Sequence, residues 1–198
     1  NCPYTYEGEY LEKPTDCFEV LYQGMITRGR GYEQFARAGK YVSDKVKLVI
    51  RGFGPYEAEL RKIVDYEKLY DKLCFANPVE VSELVLTATH SHVAVAITCP
   101  INLNFKLSIS NKLFEYVHAG LPVIMSDIPE HKYLNDRFHF GIIIDEITPN
   151  KIAEAINTLE KDQELYNLLS ANAKKMSKCM CWEQESQKLI QIYKGACS

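Results

Sequence analysis

Short apolar runs alternate along the chain with longer segments in which apolar residues recur at helical spacing. The runs are continuous, as in buried parallel strands, and lie at residues 18–23, 46–50, 73–75, 93–97, 123–125 and 141–144. Helical spacing is found at residues 32–42, 56–66, 81–89, 111–119, 130–134, 149–161, 163–178 and 182–194. The alternation predicts an α/β domain with a parallel sheet of six strands, and it leaves residues 102–110 as a loop.

Composition and charge fit one folded domain and limit its partners. The 198 residues are 46% hydrophobic and 25% charged, as in globular proteins that bury a core. A formal net charge of -3 gives no electrostatic reason to expect nucleic acid or an anionic membrane as the main partner. No apolar run approaches the roughly 18 residues that a membrane span needs, so we expect no membrane insertion by this domain.

The cysteines and histidines do not form a pattern that is typical of metal ligands. The seven cysteines are scattered and have no CxxC spacing, so we interpret them as reduced and expect a cytoplasmic protein. Cys179 and Cys181 form a CxC pair, but no second pair completes a four-ligand site. No carboxylate spacing turns His90 and His92 into a metal site either. We therefore expect no bound metal.

The loop after the first predicted strand carries groups suited to an anion. In open parallel sheets, ligands bind at the carboxyl ends of the strands, beside helix N-termini. This loop reads GMITRGRG and contains Gly24, Arg28, Arg30 and Gly31. Glycine allows close backbone approach, and guanidinium groups suit phosphate oxygens. A flexible turn with solvated arginines is the alternative that spacing alone leaves open.

A second loop leads into the helix predicted at residues 111–119. Ser110 or Asn111 can act as its N-cap, and the free N–H groups of the first turn point toward the crevice. Glu115 lies one turn further, where a carboxylate can accept hydrogen bonds from the two vicinal hydroxyls of a ribose. The simpler alternative is a glutamate that only complements the helix dipole.

Four segments carry a resemblance to a known family: VLYQGMITRGRG, VIRGFGPYEAEL, SNKLFEYVHAGLPVIMSD and GIIID. Together they resemble the C-terminal domain of family 4 (group 1) glycosyltransferases over nearly the whole chain. In that family the domain is the Rossmann-like, three-layer half of the two-domain GT-B fold, and it binds the nucleotide diphosphate sugar. The resemblance implies a hinge or linker at residues 1–17, a nucleotide-sugar-binding domain at 18–198, and an N-terminal acceptor-binding domain outside this sequence.

The resemblance gives the first loop a role at the donor diphosphate. Arg30 and Gly31 match the Lys-Gly or Arg-Gly of the family, whose cation contacts the diphosphate, and Gly24 opens the same loop. Met25 stands where many members carry a second phosphate-binding arginine. We expect Arg28 to act in its place.

The second loop matches the donor element of the family, with one departure. Glu115 matches the later glutamate of the EX7E motif and is implied to bind the ribose, but Leu107 occupies the position of the earlier glutamate. In members that read SPNKLFEYM, the positions of Ser110, Asn111 and Lys112 line the diphosphate instead. The resemblance therefore implies a diphosphate and ribose site and does not assign the contacts to the sugar.

The base is implied to lie next to the loop after the third predicted strand. Asn77 and Pro78 fall where the backbone of this loop borders the base in the family. An ordinary turn is the alternative for these two residues.

The resemblance implies the donor-binding domain of a retaining glycosyltransferase of the hexosyltransferase type, acting in surface polysaccharide or glycan synthesis. No metal cofactor is implied, because cations and a helix dipole can stabilise the leaving diphosphate. We expect the fragment alone to be inactive. We expect the full-length protein to be cytoplasmic, and any association with the membrane to be peripheral and at its inner face.

Two other classes of protein share the alternation of strands and helices. A sugar-nucleotide epimerase half has the same architecture without the SNKLFEY segment. A non-catalytic nucleotide- or protein-binding module of the receiver type needs clustered acids after the first strand, where this chain has arginines.

Overall fold

The computed structural model describes residues 2–196, in which strands and helices follow each other in the predicted order. The strands are β1 (Phe18–Gln23), β2 (Val46–Arg51), β3 (Leu73–Ala76), β4 (Val93–Ala96), β5 (Val123–Ser126) and β6 (Gly141–Ile144). The helices are α1 (Tyr32–Ala38), α2 (Glu57–Tyr66), α3 (Leu84–Ala88), α4 (Leu103–Leu107), α5 (Asn111–His118), α6 (Pro129–Phe138), α7 (Pro149–Lys161), α8 (Gln163–Cys179) and α9 (Trp182–Ala196). Asn1 of the predicted hinge and Cys197 lie outside the described residues.

The strands form one parallel sheet in the order β3-β2-β1-β4-β5-β6. From β1 the chain winds outward to β3, returns to the centre at β4, and then winds outward to β6. The loops after β1 and β4 therefore diverge toward opposite sides of the sheet and leave a crevice at its carboxyl edge. This order and the parallel pairing confirm the predicted Rossmann-like sheet.

The sheet is the middle one of three layers. Val20 and Tyr22 of β1 face a core shared with α1, α2 and α7, whereas Leu21 faces a second core shared with α5, α6 and α8. Successive side chains of a strand point to opposite faces, which is why one continuous apolar run serves both cores. The predicted α/β three-layer architecture is confirmed.

The prediction of a loop at residues 102–110 was wrong, because α4 lies within this stretch. Asn102 caps the helix, since its Oδ1 accepts a hydrogen bond from the N–H of Phe105 at 2.8 Å. A helix of only five residues is too short to show a hydrophobic period. The capping residue Asn102 was therefore the sequence signal for this helix, and hydrophobic periodicity could not detect it.

Three predicted helices differ from the observed ones by more than two residues at one end. The helix predicted at 32–42 ends at Ala38, where the chain tightens into turns whose N–H groups bond three residues back. The helix predicted at 81–89 begins as a 3₁₀ turn at Val81–Glu83. The helix predicted at 130–134 continues to Phe138 and ends at His139, whose φ of 48° is left-handed.

The segment that precedes β1 packs along the domain through backbone hydrogen bonds. The N–H of Trp182 donates to the carbonyl of Pro3 at 2.8 Å, and the N–H of Leu11 donates to Thr89 Oγ1 at 2.9 Å. These contacts attach the segment to the start of α9 and to the end of α3.

The loops after β1 and β2 approach each other backbone to backbone. The N–H of Gly24 donates to the carbonyl of Arg51, and the N–H of Ile26 to that of Phe53, both at 2.9 Å. A Cβ at Gly52, whose φ is +144°, would lie 2.1 Å from the carbonyl oxygen of Gly24. Only glycine therefore fits at this position.

Gly52→Ala should lower the free energy of unfolding by about 2–3 kcal/mol, because it combines a clash with a backbone conformation that L-residues avoid. Gly195→Ala is the matched control, since a Cβ there would lie within 4 Å of no atom of the described residues outside the backbone of its own helix and its chain neighbours. Urea denaturation of both variants measures the difference. Equal stability of the two variants would contradict the packing described here.

Candidate functional site

A cavity of about 370 Å³ opens at the carboxyl edge of the sheet, between the diverging loops after β1 and β4. Its lining comes from the loop after β1, from the start of α5 and the residues before it, and from one residue of α3: Gly24, Met25, Thr27, Arg30, Ile109, Ser110, Asn111, Lys112, Glu115 and Leu84. The two loops selected from the sequence therefore meet around one cavity.

Most of the residues predicted to contact a diphosphate or ribose line this cavity, but Arg28 and Gly31 do not. The Arg28 guanidinium bonds the Glu59 carboxylate at 2.6 Å and lies over the Tyr56 ring. It is 68% exposed, outside the lining. A role for Arg28 at a diphosphate stays a prediction.

Gly31 does not line the cavity, and its contact with a diphosphate stays a prediction. It precedes α1 with a φ of 73°, and a Cβ there would lie 2.5 Å from the side chain of Ile97. Its contribution is to let α1 begin close to the end of β4.

Asn77 and Pro78 follow β3 and are both exposed. Neither lines the cavity. Their contact with a base also stays a prediction.

Arg30 is fixed at both its backbone and its side chain. The Tyr22 hydroxyl donates to the Arg30 carbonyl. Arg30 NH1 donates to the buried Thr98 Oγ1 at 3.1 Å, and the guanidinium lies 4.2 Å from the centroid of the Phe105 ring. Arg30 thus presents a positioned cation to the cavity.

Lys112 lies against the faces of two aromatic rings. Its Nζ is 4.5 Å from the centroid of Tyr22 and 5.5 Å from that of Tyr32, and the two rings stack on each other at 4.2 Å. Burial, together with the smaller effect of the Arg30 charge, lowers the pKa of Lys112 to about 7, whereas the charge of Glu115 opposes this shift. A nearby anion would therefore stabilise the charged form of Lys112.

Glu115 is partly buried on the side of α5 that faces β1. Its Oε2 accepts a hydrogen bond from Nε2 of Gln23 at 2.7 Å. Burial raises the pKa of Glu115, while the hydrogen bond from Gln23 and the charge of Lys112 act in the opposite direction. The carboxylate thus faces the cavity with one of its oxygens already engaged.

The N-terminus of α5 borders the cavity through Ser110 and Asn111. Ser110 is the N-cap, with an extended backbone and without a capping hydrogen bond from its side chain in this structure. Of the two capping residues suggested by the sequence, the structure thus selects Ser110.

Sequence reasoning missed several residues that position the charged groups. The missed residues are Tyr22 and Gln23 in the first apolar run, Thr98 directly after the fourth, and Tyr32 in the first predicted helix. The available signal was the polar Gln23 at the end of an otherwise apolar strand, since a buried polar group requires a partner.

Two further properties concern the described residues as a whole. Residues 2–196 hold no group of three or more His, Cys, Asp or Glu side chains arranged for a metal ion, and the six cysteines among them are free. In the same range, no helix combines the length and the apolar character that crossing a membrane requires.

The family model of the group 1 glycosyl transferases matches residues 9–176. The chain belongs to this family. The match covers β1 to α8 and both loops that line the cavity. A search of curated proteins finds no relative that matches. The chain has the fold of the C-terminal, Rossmann-like half of the GT-B architecture, as the resemblance implied.

Solved structures share this fold at low sequence identity. The pneumococcal O-GlcNAc transferase GtfA with UDP and GlcNAc is 17% identical, with a TM-score of 0.71 over 94% of this chain and 38% of that chain. Anabaena Alr3699/HepE with UDP-glucose is 14% identical, with a TM-score of 0.75 over 89% of this chain and 49% of that chain. Sucrose-phosphate synthase from Thermosynechococcus elongatus is 22% identical, with a TM-score of 0.75 over 93% of this chain and 47% of that chain. The chain spans less than half the length of each.

Lys112→Met should stabilise the protein in a pH-dependent way. The pKa of about 7 lies below the ordinary 10.5, so below pH 7 the folded protein carries the whole cost of burying the charge. This cost falls as the pH rises from 7 toward 10.5, above which the lysine is neutral in both states. The gain in Tm over wild type should therefore be larger at neutral pH than at pH ~10.

Lys106→Met, on the exposed part of α4, is the control for removing a lysine charge. Thermal unfolding of both variants and of wild type at the two pH values makes the comparison. A gain from Lys112→Met that is independent of pH would contradict a buried charge at this position.

Proposed function

We propose that this domain binds the nucleotide diphosphate sugar of a retaining glycosyltransferase in the cavity between the loops after β1 and β4. The observation that carries the proposal is the meeting of Arg30, Lys112 and Glu115 around one cavity at the point where the strand order reverses. The family membership of the chain supports a nucleotide sugar as the ligand.

The diphosphate would lie between the loop after β1 and the N-terminus of α5. Arg30 provides a guanidinium and Lys112 an ammonium group at this place, and Gly24, Ser110 and Asn111 bring backbone close to it. A bound diphosphate would favour the charged form of Lys112, so binding and protonation of this side chain reinforce each other.

The nucleoside would lie beyond Glu115. A second cavity of about 280 Å³ shares Leu84, Asn111 and Glu115 with the first. Its other lining residues include the apolar Val81 and Val85 of the segment after β3. Glu115 thus stands between a charged cavity and a largely apolar one, which supports the order of diphosphate, ribose and base.

The chemical contribution of this domain would be to stabilise the leaving group. As the bond from the sugar to the diphosphate breaks, negative charge grows on the phosphate oxygens. Arg30, Lys112 and the N-terminus of α5 are held in place before the reaction and would stabilise that charge without a metal ion.

The acceptor and its catalytic groups would belong to an N-terminal domain of the full protein. The solved structures support this, since each is more than twice as long as the part that matches. We propose a hexosyltransferase of surface polysaccharide or glycan synthesis, located in the cytoplasm. UDP is the first nucleotide to test, because it is bound in two of these structures as UDP or UDP-glucose.

Arg30→Ala and Glu115→Ala should each weaken nucleotide binding roughly tenfold to a hundredfold, since each removes a hydrogen-bonding group that is charged. Calorimetric titration with UDP, GDP, ADP and their sugars measures this. Arg137→Ala is the matched control, because it removes the same charge on α6, where Arg137 lies over the Phe138 ring and outside the cavity lining. Binding that survives both site substitutions unchanged would refute the proposed site.

The 198-residue chain alone should transfer sugar at a negligible rate, because the acceptor side of the reaction is proposed to lie in another domain. Incubation with the nucleotide sugar that binds best, followed by measurement of product and released nucleoside diphosphate, tests this. Measurable turnover onto an acceptor would show that the chain holds all the catalytic groups.

A further inference from the structure

Gln23, the last residue of β1, is a polar residue without exposed surface between the two cores. Its backbone N–H donates to the Tyr116 hydroxyl at 2.8 Å, and its side-chain Nε2 donates to Glu115 Oε2 at 2.7 Å. Tyr116 and Glu115 are neighbours on α5. Two separate hydrogen bonds therefore join the end of β1 to the turn of α5 that carries Glu115.

The chemistry of its neighbours fixes the orientation of the Gln23 amide. Arg51 NH1 lies 3.4 Å from Gln23 Oε1 and also donates to Thr87 Oγ1 at 3.0 Å. A guanidinium can only donate and an ionised carboxylate can only accept. The amide oxygen must therefore face Arg51, and the amide nitrogen must face Glu115.

This orientation affects both the charge and the geometry of Glu115. Burial raises the pKa of Glu115, and the hydrogen bond from Gln23 is the largest influence that lowers it. Lys112 on α5 also lowers this pKa, while Arg51 on β2 acts through the Gln23 amide. The same bond fixes Oε2, so rotation of the carboxylate would break a buried hydrogen bond.

An apolar residue would fit the pattern of β1 better than glutamine does. A side chain of similar length without an amide would leave Arg51 without one acceptor and Glu115 without one donor in a partly buried place. The buried glutamine is therefore explained by the carboxylate and the guanidinium that it joins, and not by the packing of β1.

We propose that Gln23 is a positioning residue, held by Arg51, that keeps Glu115 ionised and oriented to accept hydrogen bonds from the ribose hydroxyls. The proposal rests on the donor-binding function proposed above. It adds that recognition of the ribose depends on β1 and β2, and not on α5 alone.

The first test needs no nucleotide. In protein labelled with ¹³C at the glutamate carboxyl carbon, the signal of Glu115, assigned with Glu115→Gln, is followed by NMR against pH. Gln23→Met, which is close to isosteric, should raise the pKa of Glu115 above its wild-type value. Arg51→Met should shift it in the same direction and serves where Gln23→Met fails to fold.

Thr89→Val is the matched control, because Thr89 is equally buried and its hydroxyl bonds the backbone of Leu11 and Leu86 and not Gln23 or Glu115. This variant should leave the pKa of Glu115 unchanged. An unchanged Glu115 titration in folded Gln23→Met would overturn the proposal, and so would an equal shift in Thr89→Val.

The second test couples Gln23 to the ribose. Gln23→Met should weaken binding of UDP, or of whichever of UDP, GDP and ADP binds tightest, by about tenfold. It should have little effect on the 2′,3′-dideoxy form of that nucleotide, and little further effect in the Glu115→Ala background. If Gln23→Met instead weakens the binding of the nucleotide and of its dideoxy form equally, the substitution acts on the fold as a whole. That result would contradict a positioning role.

The outcomes separate this proposal from the proposed function. If wild type binds a nucleotide, Glu115→Ala weakens binding and Gln23→Met does not, the donor site stands and the role of Gln23 is wrong. If Glu115→Ala leaves binding unchanged, the ribose site itself is wrong, whatever the Glu115 titration shows.

Discussion

The site depends on how closely the backbones after β1 and β2 approach each other. Gly24, with a φ of +121°, bonds the carbonyl of Arg51, and Gly52 has no room for a side chain beside it. A Cβ at Gly24 would also lie 3.3 Å from Lys112 Nζ. The backbone contact between Gly24 and Arg51 holds the loop after β1 close to the carboxyl edge of the sheet. Lys112 can therefore extend across Gly24, and Arg30 can face the same cavity.

The charged groups of the cavity are held by neutral neighbours that suit each charge. Lys112 lies on the rings of Tyr22 and Tyr32, and Arg30 lies on Phe105. Glu115 is bonded by the amide of Gln23. Aromatic faces and an amide donor position these groups without pairing either cation with a carboxylate, so Arg30 and Lys112 can still interact with an anionic ligand.

The sheet and the parallel direction of its strands could be predicted from the apolar runs. A parallel strand is buried on both faces, so its residues are apolar without interruption and do not alternate with polar ones. The two loops were also found, since glycine and arginine after β1 and a capped helix after β4 are local signals. Spacing alone does not distinguish Arg28 from Arg30, and only the resemblance to the family singled out Arg30. In the structure, the contact of Arg28 with Glu59 and that of Arg30 with Thr98 separate the two arginines. The role of Gln23 required α5 to be in place.

The surface around the cavity is more apolar than a solvated edge requires. Four apolar residues are each more than 60% exposed there: Met25 and Phe53 in the loops after β1 and β2, Ile101 before α4, and Leu103 at the start of α4. Apolar surface around a polar cavity is typical of a place where another domain packs. Covering it would exclude water from Arg30 and Lys112 and strengthen their interaction with a diphosphate. This apolar edge agrees with the N-terminal domain proposed above, which would complete the site.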